Sequence, residues 1–172
     1  AVSKASAHWL AKVYRESYNM FCCSGILFNH ESYLRGKEFV TKKVLSTAVR
    51  IKHGSDEKLK LGNTTIKRDW GYAPKYIEAM WLMMQQDSPD DYIIASGKAH
   101  SLQDFIESIF AELGLNWQDH VETDPALFRP ADIDITYGDP THAKEVLGWE
   151  YDWNLSDLTK ALVEEELNNY SA

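Results

Sequence analysis

Leu102, Phe105, Ile106, Ile109, Phe110 and Leu113 recur every three or four residues, and this stripe constrains the fold more than any other feature of the chain. Such spacing places all six side chains on one face of a helix, and that face needs an apolar partner. Ser101 and Asp104 can form a reciprocal cap at the start of this helix, and Gly114 can end it. The same period recurs in residues 2–18, with Val2, Trp9, Leu10 and Val13 near one stripe. It returns in Phe39, Val40, Val44, Leu45, Ala48 and Val49, with Gly54 just beyond their helix. Residues 74–86 carry Ile77, Met80, Trp81 and Met84 on one side, and a last helix over 155–169 carries Leu155, Leu158, Leu162 and Val163. Asp139 and Pro140 read as a cap and a first-turn proline for a short helix ending near Gly148. Short strands are expected between these helices. Residues 20–28 are continuously apolar or small, as in a strand covered on both faces, and 59–61 and 92–95 are two more. Helices alternating with short strands indicate an α/β or α+β domain.

A length of 172 residues suits one domain, and 44% hydrophobic with 26% charged residues is the composition of an ordinary globular protein. A net charge of −8 argues against nucleic acid or an anionic membrane as the main partner. The apolar runs are too short to span a bilayer. Cys22 and Cys23 are adjacent, so on a strand they point to opposite faces and are poorly placed to bridge. No disulfide framework and no metal-ligand spacing is present, so we expect no metal site and a reducing, cytoplasmic setting. Ala1 is not an initiator residue and the chain opens inside a helical pattern, so further residues are expected before it.

Chemistry is harder to place. Arg35, Lys37, Lys42 and Lys43 gather in one loop and helix start, Lys67 and Arg68 in a second loop, and Arg129 beside Pro130 in a third. In an acidic chain, basic residues gathered in loops suggest an anion site, for which arginine's planar fork suits phosphate. Read singly, each favours a solvated surface charge. Asn29, His30, Glu31 and Ser32 open a polar loop directly after the apolar run, where open α/β sheets place ligands. Alone, His30 reads as structural, and Trp70, Trp81 and Trp149 read as core. No glycine-rich phosphate loop and no catalytic array at obvious spacing is present. The residues by themselves lead to an α/β domain with basic loops.

Several segments taken together carry a resemblance. Ala1, Val2, Ser3 and Lys4 look like the end of the Tyr-x-x-x-Lys motif of short-chain dehydrogenases. Gly25 through Ser32, then Arg35 and Gly36, then Phe39 through Lys43, are similar to the signature of the GDP-mannose 4,6-dehydratase family. So are Leu61 to Asn63, Arg68 to Gly71, Phe128 to Ala131, Gly138 to Thr141, and Leu147 to Trp149. The Asn-His-Glu-Ser block is specific to that family, whereas Arg-Asp-Trp and Leu-Gly-Trp are shared more widely among nucleotide-sugar epimerases and dehydratases.

This resemblance implies an α/β fold made of the C-terminal edge of an NAD(P)-binding Rossmann fold plus a small α/β substrate-binding domain. Residues 1–28 would be the last Rossmann helix and strand, and 29–172 mainly the substrate domain, with some segments returning to the Rossmann sheet. The implied cofactor is NADP and the implied substrate a GDP-sugar, with homo-oligomers common in the family. Lys4 would hold the nicotinamide ribose and lower the pKa of a preceding tyrosine. His30 and Arg35 would contact the cofactor. Asn29 would lie at the sugar-nucleotide phosphates, Lys43 and the backbone of Val40 at guanine, and Arg68 and Arg129 at the pyrophosphate. Asp132 stands where the family has a glutamate for the nucleotide ribose. The implied reaction moves a hydride from sugar C4 to NADP, eliminates water across C5 and C6, and returns the hydride to C6. The tyrosine, its Ser/Thr partner, the glutamate and the glycine-rich loop of that reaction would precede Ala1, so this chain alone is expected to be inactive.

Two positions depart from the family pattern. Lys75 replaces an acidic residue at a helix start, where a cation is unfavourable, and Tyr33 and Leu34 replace a Pro-Arg pair. A related epimerase or reductase, or a non-catalytic nucleotide- or partner-binding module, remains an alternative reading of the same residues.

Overall fold

The computed structural model describes residues 2–128 and 131–170. The chain is α/β. In order it forms α1 (Val2–Tyr18), β1 (Ser24–Leu27), β2 (Asn29–Glu31), α2 (Val40–Lys52), β3 (Leu59–Leu61), β4 (Lys67–Arg68) and β5 (Trp70–Tyr72). It continues with α3 (Ala73–Met83), β6 (Asp91–Ile94), β7 (His100–Ser101), α4 (Leu102–Glu112), β8 (Val121–Thr123), β9 (Ile135–Thr136), α5 (Thr141–Leu147) and α6 (Leu155–Tyr170). Parallel pairing joins β1 to β6, β2 to β5 and β3 to β8. In a fourth, mixed sheet β4 lies between β7 and β9.

The Leu102 stripe organises the larger of two apolar clusters. Phe105, Ile106, Ile109 and Phe110 of α4 are completely buried among Val44, Leu45, Ala48 and Val49 of α2 and Leu158, Leu162 and Val163 of α6. Ser101 and Asp104 form the expected reciprocal cap, at 3.0 and 2.9 Å. Gly114 and Gly148 have φ of 67° and 66°, the left-handed conformation that glycine accepts without strain at a helix end. The smaller cluster joins Tyr76, Ala79 and Met83 of α3 to Tyr92 and Ile94 of β6 and to Ala143, Leu147, Trp149 and Tyr151.

Several expectations are corrected. Only Ser24–Leu27 of the 20–28 run is a strand, it pairs with β6 among the described residues, and Met20, Phe21 and Ile26 are exposed. The Ile77, Met80, Trp81 and Met84 stripe faces outward, so Trp81 is not core, while Trp70 and Trp149 are. Helix α5 starts at Thr141, so Pro140 is its N-cap rather than its first-turn residue, and Asp139 instead accepts from the Thr141 amide at 3.0 Å. The expected loop at Asn29 begins as strand β2.

Lys75 does sit in the first turn of α3, and the structure shows how its charge is met. Its ammonium donates to Asp152 at 2.7 Å and lies over the Trp153 ring. A carboxylate from another segment thus offsets the unfavourable dipole.

Candidate functional site

Strand alternation explains the site's first wall. Successive side chains of β2 point to opposite faces. Asn29 and Glu31 accordingly line a cavity, while His30 between them faces the smaller cluster. There its ring lies 5.4 Å from that of Tyr76 and its Nδ1 is 2.8 Å from the Phe28 carbonyl oxygen. The register sets His30 against Gly71 of β5, where a Cβ would fall 2.4 Å from the Tyr76 ring, so only glycine lets that ring close in.

The second wall is the start of α2. Val40, Thr41 and Lys43 face the cavity, and the same helix is locked by Val44, Leu45, Ala48 and Val49 in the larger cluster. Lys43 donates to the Lys60 carbonyl at 2.7 Å, tying α2 to β3. Gly62, just after β3, lets the chain at Leu127 approach, since a Cβ there would stand 2.6 Å from the Leu127 carbonyl oxygen.

The third wall comes from β4. Its Arg68 donates from Nη1 to the carbonyls of Lys67 at 2.8 Å and Ile133 at 2.6 Å, and from Nη2 to Asp132 at 3.1 Å. Asp69 next to it is fully buried and accepts from the backbone amides of Ser96 at 2.8 Å, Gly97 at 2.9 Å and Gly138 at 3.3 Å. A buried carboxylate is tolerated when so many donors satisfy it. It clamps three segments together and so fixes the place of Arg68.

The cavity has a volume of about 560 Å³, within the range of small-molecule sites. Arg35, Lys43, Lys60 and Arg68 contribute positive charge to it, against Glu31, Glu38 and Asp132, so its lining is net cationic in a chain of net charge −8. Such a lining favours an anionic occupant. At its floor Glu31 is 2% exposed and accepts from the Thr41 hydroxyl at 2.7 Å. Burial pushes the Glu31 carboxyl above its ordinary range, with Thr41 and Arg35 opposing that shift.

Of the residues singled out in the sequence, Asn29, Arg35, Val40, Lys43, Arg68 and Asp132 line this one cavity. Lys4 is exposed on α1 and His30 faces away, so neither joins them. Arg129 lies outside the described residues. Glu31, Thr41, Phe39, Asn63 and Trp70 also line the cavity and were given no site role in the sequence, although Glu31 was placed in a ligand loop. Period-two spacing from Asn29 to Glu31 would have found the first of these had the segment been read as a strand. A second groove of about 690 Å³ shares Lys43 and Lys60 with the cavity and runs along later turns of α2, past Ser46, Thr47 and Arg50. There Lys42 pairs with Glu166 and Arg50 with Glu57, so much of its basic character is already neutralised.

A model of the GDP-mannose 4,6 dehydratase family matches residues 1–162. The chain belongs to that family. A GDP-mannose 4,6 dehydratase of Arabidopsis thaliana is 51% identical over 167 residues, covering 97% of this chain and 45% of the relative. The Homo sapiens GDP-mannose 4,6 dehydratase is 39% identical over 178 residues, covering 94% and 48%. The chain thus spans about half the length of the curated family members it matches. The fold agrees with solved structures of more distant sequence. RMD from Pseudomonas aeruginosa, complexed with NADPH, superposes with a TM-score of 0.88 at 18% identity, covering 98% of this chain and 55% of that one. A dTDP-glucose 4,6-dehydratase from Bacillus anthracis in complex with NAD gives 0.83 at 19% identity, covering 99% and 52%. Within the family blocks, Asn29 to Glu31 form β2, and Arg68 to Trp70 run from β4 into β5 with Asp69 between them accepting from Ser96, Gly97 and Gly138.

Proposed function

We propose that this chain is the nucleotide-sugar cradle of a GDP-mannose 4,6-dehydratase. One observation supports this above others: Asn29, Arg35, Val40, Lys43, Arg68 and Asp132 converge on one cavity from three separate walls. In this reading residues 1–28 belong with β6, α3 and α5 to the Rossmann side. The rest forms mainly the substrate domain, and the cavity opens between its β2, α2 and β4 walls. Lys43 and the Val40 backbone meet the guanine, and Asn29, Arg68 and Arg129 hold the phosphates. Asp132 takes the ribose hydroxyls. Arg68 is paired with Asp132 in the structure, so a ribose at Asp132 would release part of the arginine fork to the pyrophosphate.

NADP is the proposed cofactor of the whole protein, where it would accept the hydride and return it. The described chain does not gather a complete set of residues for it. Arg35 faces the cavity, but Lys4 stands exposed on α1 and His30 turns toward Tyr76. We therefore derive no step through the cofactor. The exposed apolar side chains of α1 and α3 support a homo-oligomer. No described helix is long and apolar enough to cross a membrane. We place the protein in the cytoplasm, with neither a membrane nor nucleic acid as partner.

Calorimetric titration with GDP and then UDP tests the reading. GDP should bind with clear preference, and Arg68→Ala should weaken it by about ten- to a hundredfold, since hydrogen bonds to a charged group contribute about 1.5–3 kcal/mol. Preference for UDP would instead favour an epimerase-like relative. Absence of binding to either would sink the cradle reading for this chain.

A further inference from the structure

The cavity floor holds two buried polar atoms with no hydrogen-bond partner among the described residues, Glu31 Oε1 and Arg35 Nε. They belong to neighbouring groups. Arg35 Nε stands 3.4 Å from Glu31 Oε2, and the Arg35 guanidinium carbon lies 3.7 Å from the centre of the Phe39 ring. Glu31 Oε2 is also held by Thr41, so this carboxylate links β2, the loop after it and the start of α2. An almost fully buried carboxylate is costly unless it is paired, and an orphaned buried atom adds to that cost. Side-on pairing, with Nε–H and one Nη–H facing the two carboxylate oxygens, would satisfy both orphans together.

We propose that Glu31 is a positioning residue: its carboxylate anchors the Arg35 guanidinium side-on against the Phe39 ring and leaves the remaining Nη donors for an anionic group of a ligand in the cavity. This rests on the cradle reading and adds to it a residue that acts only through Arg35. None of the Arg35 Nη atoms donates to a protein acceptor among the described residues, so those donors are available. A lysine at this position could not do the same, because it lacks the fork that meets a carboxylate on one side and a ligand on the other.

The sign of one substitution separates positioning from plain charge. Removing a carboxylate from an anion-binding cavity should, by charge alone, tighten an anionic ligand. Positioning makes the opposite demand. In calorimetric titration of the full chain with GDP, Glu31→Gln should weaken binding about tenfold, and Arg35→Ala by a similar factor. The double variant should bind within about twofold of Arg35→Ala, because the two changes remove one arrangement. Glu31→Gln should not lower the melting temperature, which a purely structural carboxylate would. Tighter binding by Glu31→Gln, unchanged binding, or losses that multiply in the double variant would each overturn the proposal.

A ligand-free readout keeps this distinct from the cradle reading. The Arg35 Nε–H resonance should be sharp and slow to exchange in the natural chain and fast in Glu31→Gln. If the natural chain does not bind GDP, the cradle reading fails, and this resonance alone decides whether Glu31 holds Arg35. Equal exchange in both proteins would overturn that as well.

Discussion

The cluster built by α2, α4 and α6 encloses Phe105, Ile106, Ile109 and Phe110 completely, whereas α1, 17 residues long, buries no side chain fully. Trp9 on α1 is 58% exposed and Trp81 on α3 is 63% exposed, although both lie on apolar stripes. The comparison teaches that an apolar period marks the face that wants cover, while the cover itself depends on which elements stand opposite. It also bears on the candidate site. The cavity draws Val40, Thr41 and Lys43 from a helix whose other face is locked in the closed cluster, so that wall is held by packing. The α1 side is held more lightly, chiefly by Arg15, which reaches both carboxylate oxygens of Asp91 at 2.9 and 3.1 Å and the Cys22 carbonyl at 3.1 Å.

The largest effect should come from emptying the closed cluster. Phe105→Ala should lower the unfolding free energy by about 3–5 kcal/mol in urea denaturation. A loss no greater than that of an exposed tryptophan would break the comparison at its root.

Acid should then separate the two regions by sign. Hydrogen bonding from Arg15 holds the Asp91 carboxyl below its ordinary value of 3.8. A lowered folded value means stability that is present above the unfolded value and lost as pH falls through the folded one. Asp91→Asn should therefore cost about 1 kcal/mol at neutral pH, with the difference from the natural chain shrinking below pH 3.8. Glu31 runs the other way. Burial raises its carboxyl above 4.5, so its contribution is full below that value and is lost as pH rises through the folded one. Glu31→Gln should thus be at least as stable as the natural chain at neutral pH and gain nothing below pH 4.5. Denaturation of both variants at the two pH values checks the pair of signs.

The smallest stability change is expected on α1 itself. Trp9→Ser should alter the unfolding free energy by no more than about 0.5 kcal/mol. It should nonetheless weaken self-association in sedimentation velocity, because it removes apolar surface from an open face. Unchanged association would mean that some other surface brings copies together.

Much of the candidate site was legible where local chemistry speaks for itself. Arginine and lysine gathered in loops pointed to an anion site, and Arg35, Lys43 and Arg68 do share one cavity. The parts that stayed hidden depend on alternation within a three-residue strand. Residues 29–31 are too short and too polar to announce a strand, so Glu31 was placed in a ligand loop without a role of its own and His30 was set beside Asn29, from which the pleat separates it.

The sequence by itself determined the main helices, the cap of α4 and the apolar faces, because these follow from period, from a serine and an aspartate three residues apart, and from glycines able to adopt positive φ. It also carried the family, through short blocks spread along the whole chain. Only the tertiary structure decided which apolar faces are covered, that Asp152 meets the charge of Lys75, and that Asp69 clamps three segments beside Arg68. Those outcomes join residues 27 to 77 positions apart, and no local propensity reports on what lies across such a distance until the chain has folded.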